Sequence, residues 1–359
     1  AVLVGKLKGN SSYNPTRNPK AALDRRNIVI GQMEVNGKIK PAEAAKFKAK
    51  PIKLNYKKLD ENTGYAPYFR EVLKSELREA LKGLKNPNGD DYSIYNDGLK
   101  VYTTINIQMQ EIAEEGMAQH MLLLQKGINA RSDFKNGSIW KGREKFLEKA
   151  AKESDRWKNL EEDGLSDKEI RASFDVKVPM KVFVWNSKRE KDTTLTPMDS
   201  IKYHLQMEQA GFMAMDPVTG EVRAWVGGID FKTYKNDHVN LNTKRQVGST
   251  IKPFLYTQAM EERGFTPETE CENVAQFFPG SGWVPSGRKC GGGSMSMANA
   301  LAFSKNCATA YIMKQVGPQQ FSDFLSRISI PTKVKPFPSI ALGTCDLSIY
   351  EMLWGYTIF

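Results

Sequence analysis

The strongest constraint on this chain is a pair of short polar motifs set among helical, apolar segments. One is Arg245-Gln246-Val247-Gly248-Ser249-Thr250-Ile251-Lys252-Pro253, and the other is Ser304-Lys305-Asn306. Ser249 and Lys252 are three residues apart, so on a helix they share one face, a turn apart. A lysine in that place takes the serine proton once it has lost its own charge, which burial and nearby cations favour. A serine at a helix start gains from the positive end of the helix dipole. Its backbone N–H is then available to a developing oxyanion. Pro253 is tolerated in a first turn, where the N–H groups lack partners anyway. Ser304, at a break between helices, is expected to relay a proton to a leaving amine, and Asn306 to hold a substrate amide. Helix capping is the plain alternative for these serines and for Asn306.

Neither spacing is specific alone. Ser132…Lys135, Ser138…Lys141 and Ser286…Lys289 also fit the first, and Ser12-Tyr13-Asn14 fits the second. The first two lie in a charged stretch with no strand before them, and the third in a Gly/Pro-rich loop that holds no helical register. What singles out Ser249 is the conjunction: Arg-Gln-x-Gly before it, Lys-Pro after it, a hairpin upstream, and Ala-Leu-Ala-Phe-Ser-Lys-Asn downstream.

That hairpin spans residues 212–226. Two apolar runs flank Asp216-Pro217-Val218-Thr219-Gly220, with Pro placed to start a turn and Gly to allow positive φ. Helices are expected over 18–34, 41–51, 69–84 and 107–124, from apolar periodicity and from Pro at a first-turn position. Residues 99–105 alternate with β-branched and aromatic side chains and read as a strand. Residues 125–172 read as a charged, helical insertion. Helix is expected again from Ser249 to about Met260, and from Met295 to Val316 on either side of Ser304.

The formal net charge of +11 is concentrated at one end. Residues 1–60 hold 14 Lys/Arg against 4 Asp/Glu. A compact basic segment suits an anionic partner such as lipid headgroups or a pyrophosphate-bearing lipid; a solvated Lys-rich helix is the other reading. Nucleic acid is not expected, because aromatics do not interleave with the basic cluster. No metal or cofactor is expected either. The cysteines at 271, 290, 307 and 345 show no C-x-x-C spacing, and His120, His204 and His238 lie far apart in the sequence. Cys271 and Cys290 flank one loop-like stretch, which leaves open a disulfide between them in an oxidising compartment or four buried free thiols. No run approaches the roughly 18 apolar residues of a membrane span.

Taken together, Arg-Gln-Val-Gly-Ser-Thr-Ile-Lys-Pro, Ser304-Lys-Asn, the Met-Asp-Pro-Val-Thr-Gly-Glu hairpin, Trp283-Val-Pro, and Ala341-Leu-Gly-Thr with Tyr350-Glu-Met resemble the transpeptidase domain of penicillin-binding proteins. Residues 1–50 resemble the tail of the glycosyltransferase domain of the class A, bifunctional members, and residues 99–110 the segment joining the two. The resemblance implies an α+β fold: a helical, lysozyme-like glycosyltransferase tail over 1–57, a linker and inserted helical region over 58–205, and a penicillin-binding, serine β-lactamase-like transpeptidase domain over 206–359. It implies Ser249 as nucleophile, Lys252 as base, Ser304 as proton relay and Asn306 as substrate-binding residue. The expected partners are peptidoglycan stem peptides, a lipid-linked precursor, β-lactams, other cell-wall synthesis proteins and, through an anchor outside this chain, the extracytoplasmic face of a bacterial membrane.

Two features depart from the family pattern. No Lys-Thr/Ser-Gly strand is found, and the glycosyltransferase glutamates would precede residue 1. The chain is therefore expected to be part of a longer protein, and inactive or poorly folded by itself. A D,D-carboxypeptidase or β-lactamase-like hydrolase and a non-catalytic cell-wall scaffold or sensor are the alternatives.

Overall fold

The computed structural model describes residues 1–55, 61–287 and 290–359. The expected boundary at 57/58 and Lys289 of the Ser286…Lys289 pair lie outside the described residues. The chain forms two compact units, Ala1–Glu61 and Asn62–Phe359.

The first unit holds α1 (Val2–Lys6), α2 (Pro19–Val35) and α3 (Pro41–Ala49). Pro in the first turn starts both α2 and α3, where its missing N–H removes nothing. The end of α3 is closed from outside: buried Arg26 donates to the carbonyls of Lys48 at 3.0 Å and Lys50 at 2.6 Å. Carbonyls at a helix C-terminus have no intrahelical donor, so a guanidinium fork there satisfies two at once.

The second unit begins with α4 (Pro67–Ala80), whose buried Tyr68 donates to the Tyr234 carbonyl at 2.6 Å. Two glycines make room for that ring: a Cβ on Gly227 or Gly228 would sit 2.6 Å or 2.4 Å from Tyr68 atoms. Next come α5 (Ile107–Ala130), α6 (Ser132–Lys135), α7 (Glu144–Glu153), α8 (Asp155–Glu162) and α9 (Asp167–Ser173). The last three bury Ala151, Trp157, Ile170 and Phe174 together, giving the charged insertion a small core of its own. A hairpin of β1 (Val178–Val182) and β2 (Lys191–Leu195) leads into α10 (Pro197–Leu205), capped by Thr196.

Residues 99–105 are not a strand. They run to the open side of β4 but bond to it mainly through side chains and the helix entry. Thr104 Oγ1 donates to the Val222 carbonyl at 2.7 Å, and Asn106 N–H to the Arg223 carbonyl at 2.9 Å. Gln110, in the first turn of α5, then accepts from Trp225 N–H at 2.7 Å and donates to its carbonyl at 2.9 Å. A hydroxyl and a carboxamide thus stand where a ladder would place backbone groups, which alternation in the sequence does not reveal.

The hairpin of β3 (Phe212–Met215) and β4 (Val222–Val226) forms where expected. Asp216 Oδ1 accepts from the N–H groups of Val218 and Thr219, and Gly220 takes φ 72°. After it come β5 (Lys244–Gln246), a 3-10 turn over Gly248–Ile251 and α11 (Lys252–Arg263). The stretch beyond α11 is more ordered than its Gly/Pro content suggests. In it β6 (Glu270–Glu272) pairs with β9 (Ser294–Ser296), and β7 (Gln276–Phe278) with β8 (Gly282–Val284). Three-residue strands are too short to leave a periodic trace.

The chain continues through α12 (Met297–Ala302), α13 (Asn306–Val316), α14 (Pro318–Arg327), β10 (Asp346–Ser348), which pairs with β5, and α15 (Ile349–Tyr356). Phe254, Leu255, Ile312, Met313, Phe321 and Leu325 form the centre of the main core, so α13 and α11 are packed around the same apolar mass. The fold is α+β, as expected.

Candidate active site

Packing of α11 against α13 decides where the polar motifs meet. Lys252 is the first residue of α11 and is 1% exposed. Its Nζ donates to the Ser304 carbonyl at 2.8 Å, Ser304 Oγ at 3.0 Å and Asn306 Oδ1 at 2.8 Å. Those three bonds use every donor of an ammonium group. Burial pushes the Lys252 amine down to about 8. Losing one proton frees a lone pair at the expense of one of the three contacts, which is what a base at this position requires.

Ser249 lies three residues earlier on the 3-10 turn and is exposed. Among the described residues its hydroxyl makes no hydrogen bond. The structure therefore brings Lys252, Ser304 and Asn306 into direct contact, with Ser249 one turn away and open to solvent. The turn that carries Ser249 is pinned on three sides. Val247 N–H donates to the Cys345 carbonyl and Gly248 N–H to the Gly343 carbonyl, each at 3.0 Å, and Tyr356 donates its hydroxyl to the Thr250 carbonyl at 2.8 Å. These braces, from the 3-10 segment Pro338–Leu342 onward, were not assigned roles from the sequence. The Ala341-Leu-Gly-Thr string was the only trace of them.

Ser304 holds φ 51°, a left-handed conformation seldom taken by a residue with a Cβ. Its N–H bonds the Leu301 carbonyl at 2.9 Å and the Lys305 N–H bonds the Ala300 carbonyl at 2.8 Å. That is the Schellman ending of α12, with serine where glycine is usual. Strain of this kind persists where surrounding contacts over-determine it, and here the Lys252 amine grips both the carbonyl and the hydroxyl. Ser304→Gly is accordingly expected to raise unfolding free energy by about 1 kcal/mol through relief of that strain. A thermal melt would read it.

One expected pairing is corrected. Cys271 does not bond Cys290; Cys290 is bridged to Cys307 with Cα atoms 6.0 Å apart, and Cys271 and Cys345 are free. Cys271 is buried in the main core, sealed there by the β6–β9 pairing, and its thiol faces the interior. Sequence separation carries no information on which sulfurs meet.

Residues 135–207 match the penicillin-binding protein middle domain, and residues 210–335 the penicillin binding protein transpeptidase domain. Penicillin-binding protein 1A of Escherichia coli (strain K12) is 26% identical, with the match spanning 100% of this chain and 45% of that protein. The 1A protein of Rickettsia conorii is 27% identical, over 100% of this chain and 47% of its own. The chain thus spans about half the length of these curated relatives. Among solved structures, penicillin-binding protein 1A from Haemophilus influenzae has the same fold, with a TM-score of 0.62 at 19% identity over 99% of this chain and 55% of that one. With a middle domain and a transpeptidase domain matched in tandem, the chain belongs to the penicillin-binding proteins.

Proposed function

We propose that this chain carries the acylation centre of a peptidoglycan D,D-transpeptidase. Ser249 Oγ attacks the carbonyl of the penultimate D-alanine of a stem peptide, and Lys252 takes its proton. The C–N bond breaks, and D-alanine leaves with a proton delivered through the Ser304 hydroxyl. An amine of a neighbouring stem then attacks the ester, the C–O bond breaks, and Ser249 recovers its proton. Asn306 orients the substrate amide. The observation that carries this reading is the buried Lys252 amine, held by Ser304 and Asn306 one turn from an exposed serine. β-Lactams present a strained amide to the same serine and stop at the ester.

We extend the proposal to the longer protein as a bifunctional enzyme that also polymerises glycan strands from a lipid-linked precursor, on the extracytoplasmic face of a bacterial membrane. The basic first unit suits a pyrophosphate-bearing substrate, and the Cys290–Cys307 bridge suits an oxidising compartment. No helix of the described residues is long and apolar enough to cross a membrane. The test is intact-mass spectrometry of the full-length protein after exposure to benzylpenicillin. A gain of one drug mass is expected; a protein that stays unmodified overturns the acyl-serine reading and favours a scaffold.

The Lys252 environment also sets a pH dependence. The base is the neutral amine, so the acylation rate constant is expected to rise about tenfold per pH unit below about 8 and to level off above it. The stability effect has the same sign. An unfolded lysine binds its proton below the ordinary value of 10.5, whereas the folded one resists until about 8, so this contribution is lost as pH falls between the two. Stopped-flow acylation from pH 6 to 10 checks the inflection.

A further inference from the structure

The loop bearing Ser304 and Asn306 is gripped from two directions, and only one of them is part of the helix packing. From the interior, buried Tyr256 and Thr309 share a hydroxyl hydrogen bond of 2.9 Å, and Thr309 donates to the Lys305 carbonyl at 2.8 Å. The inner face of α11 therefore fixes the backbone just before Asn306. On the other side the hold is covalent. Cys307, the residue after Asn306 and in the first turn of α13, is bridged to Cys290.

Cys290 lies in the connection between β8 and β9. Among the described residues, none from Pro285 to Gly291 makes a hydrogen bond, and Gly287, Gly292 and Gly293 all take positive φ. Just beyond it, Gly292 N–H donates to the Asn273 carbonyl at 3.1 Å and the Gly293 carbonyl accepts from Asn273 N–H at 2.9 Å, which anchors the chain beside the end of β6 two residues after Cys290. The disulfide carries that anchorage to the first turn of α13, beside the carboxamide that Lys252 contacts. The turn carrying Ser249 is braced separately, by Gly343, Cys345 and Tyr356.

We infer that Cys290 and Cys307 are positioning residues of the acylation centre: their disulfide holds Asn306 Oδ1 against the Lys252 amine, and opening it slows acylation while leaving the nucleophile turn intact. The inference rests on the acyl-serine reading above and adds control of that site by thiol–disulfide state. The step balances with a dithiol as reductant. Two electrons and two protons from dithiothreitol convert the bridge to two thiols, and the reductant closes to its cyclic disulfide. Reshuffling to the other cysteines is disfavoured, because Cys271 and Cys345 are both pushed up to about 11 by burial and give little thiolate.

The experiment follows labelled penicillin incorporation into oxidised protein, dithiothreitol-reduced protein and Cys290→Ser, recording rate constant and plateau separately. A displaced Asn306 lowers the rate constant at full plateau, and about a tenfold fall is expected in both altered proteins. A lower plateau at unchanged rate constant signals partial unfolding alone and overturns the inference, as does no change. Amide hydrogen exchange supplies a readout independent of acylation: reduction is expected to speed exchange at residues 305–309 and not at 247–251. Equal exchange before and after reduction overturns the tether whatever the labelling shows. Oxidised protein that takes no label, yet whose exchange still responds, overturns the acyl-serine reading and the catalytic consequence drawn here.

Discussion

Ser249→Ala is expected to abolish the covalent adduct with β-lactam and to lower acylation by at least about 10⁴-fold. Removing a serine nucleophile leaves only the catalysis supplied by binding and oxyanion contacts, which is a small residue of the whole. The structure makes this an unusually clean experiment. Ser249 is exposed and its hydroxyl bonds nothing among the described residues, so its loss should change unfolding free energy by no more than about 0.5 kcal/mol. The contacts among Lys252, Ser304 and Asn306 do not involve the Ser249 hydroxyl and are expected to persist in the variant. Intact mass after drug exposure and a thermal melt are the two readouts. A variant that melts normally yet still gains one drug mass would place the nucleophile elsewhere.

Gly343→Ala is expected to have the largest effect on folding of any single methyl addition near the site. A Cβ at Gly343 would stand 1.9 Å from the Gly248 carbonyl oxygen and 2.4 Å from the Gly248 nitrogen. These are backbone atoms directly before Ser249, so no side chain can swing aside. The residue also takes φ 73°, which penalises any L side chain. A loss of about 3 kcal/mol or more is expected, with acylation collapsing together with the fold. Gly280→Ala is the control: φ is 78° but nothing lies within 4 Å of the added carbon, so a loss of about 1 kcal/mol is expected. Urea titration of both separates backbone strain from collision.

These two positions show how unevenly the chain discloses itself. The placement of Ser249 one turn before Lys252 was legible because their spacing is local information, and the Asp-Pro-Val-Thr-Gly turn because its hydrogen bonds close within five residues. Ser304 and Asn306 could be picked out as a pair, but their grip on Lys252 exists only once α11 and α13 pack. Gly343 carries no local sign of its task, since the backbone it must avoid is nearly a hundred residues away. Residues 99–105 misled for the converse reason. Their alternation is real, yet Thr104 and Gln110 satisfy β4 with side-chain atoms. The partner of Cys290 was hidden too, because the fold rather than the spacing brings Cys307 to it.

The Gln110 carboxamide has one more consequence. By pairing both backbone groups of Trp225 it behaves as a single residue of a neighbouring strand and then turns away into a helix. Growth of the β3–β4 sheet therefore has a direction. Among the described residues the β4 side of this sheet is closed to templating, and a further extended segment joins it at the outer side of β3. Phe212, nearly half exposed, sits on that strand and marks the edge where self-association would nucleate if it were left uncovered.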